Sequence, residues 1–78
     1  MKSDFFITKD LGLSGALHSK GVKLVRVDRQ GKLCFFVFEN RPLCESLQQQ
    51  FYAKTLDVDA LEYINSLRTL KDLVFSKV

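Results

Sequence analysis

The segment 22–38, VKLVRVDRQGKLCFFVF, constrains the fold of this chain more than any other part of the sequence. Two apolar stretches flank the tetrapeptide DRQG at residues 28–31, which has Asp at its first position and Gly at its last. This arrangement is typical of a type I turn closed by a glycine in the left-handed region, the three-residue loop of a β-hairpin. The register that follows from this turn places Val27 opposite Leu33.

Both faces of the predicted hairpin are apolar. In this register one face carries Val25, Val27, Leu33, Phe35 and Val37, and the other carries Val22, Leu24, Phe36 and Phe38. A strand pair that packs on a single core alternates apolar with polar residues, so this hairpin needs cover on both sides. We expect the first face, together with Leu73 near the C-terminus, to form the interface with a partner protein or a second copy, because uncovered apolar surface usually marks an interface.

Apolar spacing before the hairpin predicts one more strand and a helix. A short strand at residues 5–7 precedes a helix from Leu11 to Ser19, which Thr8 or Asp10 caps and Gly21 ends. This first helix could cross whichever face of the sheet the two later helices leave uncovered, although its apolar stripe is narrow.

Two further helices follow the hairpin. The first has Pro42 in its initial turn, where the missing N–H is tolerated, and ends near residues 53–54. The last is capped by Asp57 and covers residues 58–76, with an apolar arc that includes Leu61, Ile64 and Phe75. The sequence therefore predicts one α+β domain over residues 1–78, of order β-α-β-β-α-α. Its small antiparallel sheet is centred on the hairpin, and the two C-terminal helices pack on one face.

Size and composition limit the class of protein. With 78 residues, 46% of them apolar, the chain is a small folded domain whose single core is marginal, which favours homodimerisation. No apolar run approaches the ~20 residues that span a bilayer, and the N-terminus lacks a secretory signal, so we predict a cytoplasmic protein without membrane contact. Cys34 and Cys44 lack metal-binding or redox spacing and are expected to be buried thiols, with a disulfide between them as the alternative.

No sequence motif indicates catalysis or cofactor binding. His18 has no sequence partner that would orient it, and Ser14 lacks the nucleophile-elbow pattern. The aspartates at positions 57 and 59 suit a helix start, where carboxylates are favoured. The glycines of the first helix form no phosphate-binding loop, and their small size suits close approach to another element. We therefore expect neither an enzyme nor a bound cofactor or metal.

Basic residues concentrate on and beside the hairpin, where Lys20, Lys23, Arg26, Arg29 and Lys32 fall within thirteen positions. Such side chains on a two-stranded ribbon can neutralise phosphates, and a net charge of +3 is compatible with an anionic partner. The first prediction is a non-enzymatic protein that binds nucleic acid through this hairpin, with Phe36 stacking on a base if it is exposed. In one alternative, the apolar hairpin face docks a host or phage protein and the basic residues form the rim. In another, the chain is a structural dimer subunit whose charges protect the hairpin from aggregation.

Short phrases along the whole chain carry a resemblance to a known family. They comprise FITKDLGL at residues 6–13, KG at 20–21, KL at 23–24, FFVFE at 35–39, FY at 51–52 and LRTLK at 67–71. With these phrases the chain resembles a family of short bacterial and phage- or plasmid-type proteins catalogued as a domain of unknown function. The resemblance implies an accessory protein of a mobile element and supplies no catalytic residue. Gly12 and Gly15 depart from the bulkier first helix that it implies.

Overall fold

The computed structural model describes residues 4–75 and has, over that range, a three-stranded sheet and three helices in the predicted order β-α-β-β-α-α. The elements are β1 (Phe5–Thr8), α1 (Leu11–Ser19), β2 (Leu24–Gln30), β3 (Leu33–Glu39), α2 (Arg41–Tyr52) and α3 (Ala60–Phe75). The predicted last residue of the third helix, Ser76, lies outside the described residues. No helix within residues 4–75 is long and apolar enough to cross a membrane.

The sheet has β3 at its centre, with β1 and β2 antiparallel on either side. Phe6 of β1 lies opposite Phe38, and both side chains join the buried core together with Phe36. Apolar residues of all three helices belong to the same core, so the helices form one layer on one side of the sheet. The molecule measures 18 Å along its shortest axis, which fits one sheet and one layer of helices about 10 Å in diameter. The first helix therefore lies in the same layer as the two C-terminal helices and does not cover the opposite face of the sheet.

The hairpin turn differs from the predicted one. β2 and β3 are joined by the two residues Gly31 and Lys32, and Gln30 pairs with Leu33 across the turn. Gly31 has a φ of 60°, and a glycine at the first position of a two-residue loop suits the turns whose twist matches that of the strands. The predicted three-residue loop was therefore wrong, and Val27 lies opposite Phe36 instead of Leu33.

A β-bulge changes which face of the sheet the residues of β2 occupy. The pairing shifts between Leu24, which lies opposite Phe38, and Arg26, which lies opposite Val37. Leu24 and Val27 are three residues apart and would face opposite sides of a regular strand, yet both pack against the core. The extra residue in the bulge allows this, because two residues of β2 then oppose one residue of β3. The assignment of Val27 to the partner-binding face was accordingly wrong.

Helix α1 lies at the centre of the helical layer, and its residues 13–17 are all buried. The capping residue is Asp10, whose Oδ1 accepts a hydrogen bond from the backbone N–H of Leu13 at 3.1 Å. Thr8 instead accepts from the N–H of Asp10 at 3.1 Å and so supports the cap. Gly21 follows the helix with a φ of 89°, as expected for a glycine that ends a helix.

Helices α2 and α3 complete the layer. Asn40, in the left-handed region with a φ of 67°, caps α2 and accepts from the N–H of Leu43 at 3.3 Å. Helix α3 starts at Ala60, later than predicted, because Asp59 and not Asp57 supplies the cap by accepting from the N–H of Glu62 at 3.3 Å. The buried face of α3 is also narrower than the predicted apolar arc, since Leu61, Ile64 and Phe75 are exposed.

Candidate functional site

The face of the sheet turned away from the helices is the outer sheet face. It consists of Phe5, Ile7, Val25, Arg26, Asp28, Phe35, Val37 and Glu39. The exposed fraction is 38% for Phe5 and 56% for Ile7, so no described element covers the edge formed by β1. An apolar sheet face without a covering layer is unusual in a protein that works alone in water.

The centre of the outer sheet face is inaccessible to solvent, although no helix within residues 4–75 packs on it. Val37 lies between Ile7 and Arg26 across the three strands and is fully buried by its neighbours. Arg26 extends over the ring of Phe5, with its guanidinium carbon 6.0 Å from the ring centroid. Its Nε also donates to Asp28 at 3.0 Å. The charged groups therefore border the apolar centre and partly shield it.

The predicted interface residues divide between different surfaces. Val25, Phe35 and Val37 lie on the outer sheet face, as expected, whereas Val27 packs into the core. Leu33 is 48% exposed at the start of β3, beside the hairpin turn. Leu73 is 47% exposed on α3, which belongs to the opposite layer, so it cannot join the same interface.

The predicted basic residues do not form one patch. Arg26 lies on the outer sheet face, paired with Asp28, while Arg29 donates to the backbone carbonyl of Val74 on the helical side. Arg29 therefore acts as a cap for the last turn of α3, where a cation is favoured. Phe36 is only 2% exposed, so the exposure that stacking on a base would require is absent. The remaining lysines of the prediction, Lys20, Lys23 and Lys32, are exposed.

A groove that we name the basic groove opens beside the hairpin turn on the helical side. Three lysines from different elements line it: Lys9 precedes α1, Lys32 lies in the turn, and Lys71 lies on α3. Its other lining residues are Leu11, Leu33, Cys34, Phe36, Val74 and Phe75, and its volume is about 390 Å³. Sequence reasoning missed this groove because its residues are distant along the chain. The one local signal was Lys71, a cation within the apolar arc of the last helix.

The polar residues considered for catalysis have structural roles. His18 Nδ1 lies 2.8 Å from Ser66 Oγ on α3, and Ser14 Oγ donates to the backbone carbonyl of Asp10 at 2.8 Å. Within residues 4–75, no group of three or more His, Cys, Asp or Glu side chains is placed to hold a metal ion. His18 therefore links α1 to α3, and the Ser14 hydroxyl bonds to the preceding turn of its own helix.

The pKa values of Cys44 and Tyr52 are both raised, and each shift has a local cause. Burial, followed by the nearby charge of Glu45, raises the pKa of the fully buried Cys44 thiol. The hydrogen bond that the Tyr52 hydroxyl donates to Asp10, 2.7 Å long, raises the pKa of that phenol. Both cysteines are free; Cys34 is half-buried, more accessible than predicted, whereas Cys44 is buried as expected.

Comparison with known proteins assigns the chain to a family. The family model of a domain of unknown function, DUF5659, matches residues 3–76, so the chain belongs to this family, and the predicted membership of a family of unknown function is confirmed. No curated protein and no solved structure matches the chain.

Proposed function

We propose that this chain is a non-enzymatic interaction domain that binds a protein through its outer sheet face, and that the partner is a second copy of the chain. The observation that carries the proposal is the exposure of Ile7 and Phe5 beside the buried Val37. The helical layer covers one side of an apolar sheet, and a second layer on the other side would complete a common arrangement of packed layers.

The charges of the outer sheet face favour self-association. Residues of both signs lie on this face, with Arg26 basic and Asp28 and Glu39 acidic, so these charges give no strong field of one sign. A two-fold contact sets a surface against itself and requires such self-complementarity, because like charges would otherwise oppose each other. The face therefore offers little charge complementarity to a strongly acidic or strongly basic partner.

The size of the face predicts a weak dimer. Its three strands, the longest of which have 7 residues, cover about 14 by 23 Å at ordinary strand spacing. This footprint is below the ~800 Å² per partner of a standard interface. We therefore expect a dissociation constant in the micromolar range or weaker. This corresponds to a binding free energy of about −8 kcal/mol or smaller in magnitude.

Sedimentation velocity from about 10 μM to about 1 mM protein tests the proposal. The wild-type chain is expected to move from monomer to dimer, whereas Ile7→Lys and Phe35→Glu should remain monomeric. Leu61→Lys is the matched control, since Leu61 is 66% exposed on α3 in the opposite layer. A wild-type monomer at every concentration contradicts the proposal. So does a dimer that Leu61→Lys disrupts and Ile7→Lys leaves intact.

A second candidate function is nucleic-acid binding. It is supported by Lys20 and Lys23, which are exposed at the junction of α1 and β2 and have no ion-pair partner among residues 4–75. Fluorescence anisotropy with single-stranded DNA, duplex DNA and RNA at about 50 and about 200 mM salt tests this function. Lys20→Gln with Lys23→Gln should weaken binding and reduce its salt dependence, whereas Arg68→Gln on α3 should not. Absence of binding at the lower salt concentration excludes this candidate.

The wider biological setting stays a prediction. A host or phage protein as the partner, a role in a mobile element and a cytoplasmic location follow from the resemblance and from composition. If the wild-type chain is monomeric at every concentration, a different protein on the outer sheet face becomes the next hypothesis.

A further inference from the structure

We propose that the basic groove binds a small organic anion with an apolar body, of which a medium-chain carboxylate is the simplest example. This site is separate from the outer sheet face, because it lies on the helical side of the sheet between the hairpin turn and the end of α3. Its volume of about 390 Å³ is within the range of about 300–1,000 Å³ typical of small-molecule sites.

The charge of the groove determines the sign of its ligand. Lys9, Lys32 and Lys71 come together from three parts of the chain, and no Asp or Glu side chain lines the groove within residues 4–75. Three cationic side chains around one groove, with no carboxylate in its lining, produce a positive potential there. This potential favours an anionic ligand.

The apolar lining of the groove determines the uncharged part of the ligand. Leu11, Val74 and Phe75 supply apolar side chains, and the half-buried Cys34 lies among them. An acyl chain gains free energy by covering such a surface, at about 25 cal/mol per Å² of apolar area removed from water. Phe36 also lines the groove but is 2% exposed and offers no open ring face, so a stacked nucleobase fits less well.

Cys34 provides a direct reporter of occupancy. Its thiol lines the groove, whereas Cys44 is fully buried elsewhere and serves as an internal reference in the same molecule. The experiment measures the rate of Cys34 alkylation by iodoacetamide in the full chain, with decanoate, decan-1-ol or inorganic phosphate present. In parallel, backbone NMR shifts locate the bound molecule.

Decanoate is expected to slow Cys34 alkylation and to shift resonances around Leu11 and Val74. Decan-1-ol, which lacks the charge, and phosphate, which lacks the apolar body, should protect at least about tenfold less well at equal concentration. Equal protection by decan-1-ol or by phosphate would overturn the proposal. Shifts confined to the outer sheet face would overturn it as well.

Substitution of the lysines separates this site from general hydrophobic binding. All three are exposed, so Lys32→Gln and Lys71→Gln should leave the fold intact. Each is expected to weaken decanoate binding about two- to fivefold, and the pair together about tenfold, as for partly solvated ion pairs. Lys23→Gln removes the same charge outside the groove and should have no effect. Unchanged affinity in the double variant contradicts the assignment.

Discussion

Gly15 of α1 and Leu67 of α3 pack so closely that a Cβ atom added at Gly15 would lie 2.6 Å from Leu67 Cδ2. The same Cβ would lie 3.1 Å from Leu67 Cγ and 3.2 Å from Tyr63 Cε1, so more than one group would have to move. This contact confirms the expected close approach for Gly15, whereas a Cβ at Gly12 would meet its neighbours at ordinary distances of 3.4 Å or more. The glycine costs helix propensity, about 1 kcal/mol relative to alanine, and the close packing of the two helices offsets that cost.

Gly15→Ala is therefore expected to destabilise the fold. Overpacking costs about 1–3 kcal/mol and exceeds the gain in helix propensity, so we expect the free energy of unfolding to fall by about 1 kcal/mol. Gly12→Ala in the same helix is the matched control, because its nearest contacts are 3.4 Å or longer. That variant should be neutral or stabilised by up to about 1 kcal/mol. Urea unfolding of both variants measures the difference.

A double variant tests whether the contact with Leu67 causes the destabilisation expected for Gly15→Ala. Shortening Leu67 to alanine removes the two atoms that the new Cβ would approach most closely and leaves the 3.2 Å approach to Tyr63 Cε1, so Leu67→Ala should remove most of the penalty of Gly15→Ala. We expect a coupling free energy of about 1 kcal/mol in the double-mutant cycle. If the two effects simply add, the contact between these residues does not explain the glycine.

The hydrogen bond between His18 and Ser66 joins the same two helices and is expected to stabilise the fold. Ser66 is 5% exposed, and its Oγ lies 2.8 Å from His18 Nδ1. Because removal of one partner leaves a polar group without its hydrogen bond, Ser66→Ala should lower the free energy of unfolding by about 1 kcal/mol. Ser46→Ala, which removes an exposed hydroxyl on α2, should change it by less than about 0.5 kcal/mol. Equal effects of the two substitutions would contradict the role assigned to His18.

The pair Tyr52 and Asp10 predicts a pH dependence. The hydrogen bond to Asp10 raises the pKa of the Tyr52 phenol above its ordinary value of 10.0. A raised pKa in the folded state means that this contribution to stability is present below about pH 10 and is lost as the pH rises through the raised pKa. Since Tyr52 is 56% exposed, we expect an effect of only about 0.5 kcal/mol.

Urea unfolding at about pH 9 and about pH 11 tests this sign. Tyr52→Phe removes the titrating group, so the wild-type chain should exceed the variant in stability at the lower pH and lose that advantage at the higher pH. Other groups titrate in both proteins and cancel in the difference. An advantage that persists or grows at the higher pH would contradict the assignment.

The sequence predicted the local features well, because nearby residues determine them. The Asp10 cap, the Gly21 stop and the Pro42 position each depend on backbone groups within one helical turn. For this reason the order of elements and the bounds of α1 agree with the prediction. The position of the Asp59 cap differs by two residues because two aspartates offered similar local chemistry.

The hairpin register could not be predicted from the turn residues alone. Gly31 suits both the predicted three-residue loop and the observed two-residue loop, so local chemistry allowed either turn. The structure adopts the register that brings Val27 and Phe36 together on the core face, and the bulge then keeps Leu24 on that face too. The basic groove could not be predicted from local sequence either, because its three lysines line one groove only after the strands and α3 have packed.

The two cysteines are expected to differ sharply in reactivity. Cys44 is fully buried, its thiol donates to the backbone carbonyl of Glu39 at 3.4 Å, and burial raises its pKa, so it stays protonated near neutral pH. Cys34 is half-buried at the hairpin and accessible to reagents. With Ellman's reagent at pH 8, Cys34 should react at least about 100-fold faster, because the thiolate is the reactive form and Cys44 reacts only after local unfolding. The variants Cys34→Ser and Cys44→Ala assign the two phases. A fast phase that survives Cys34→Ser would contradict the buried position of Cys44 in the core.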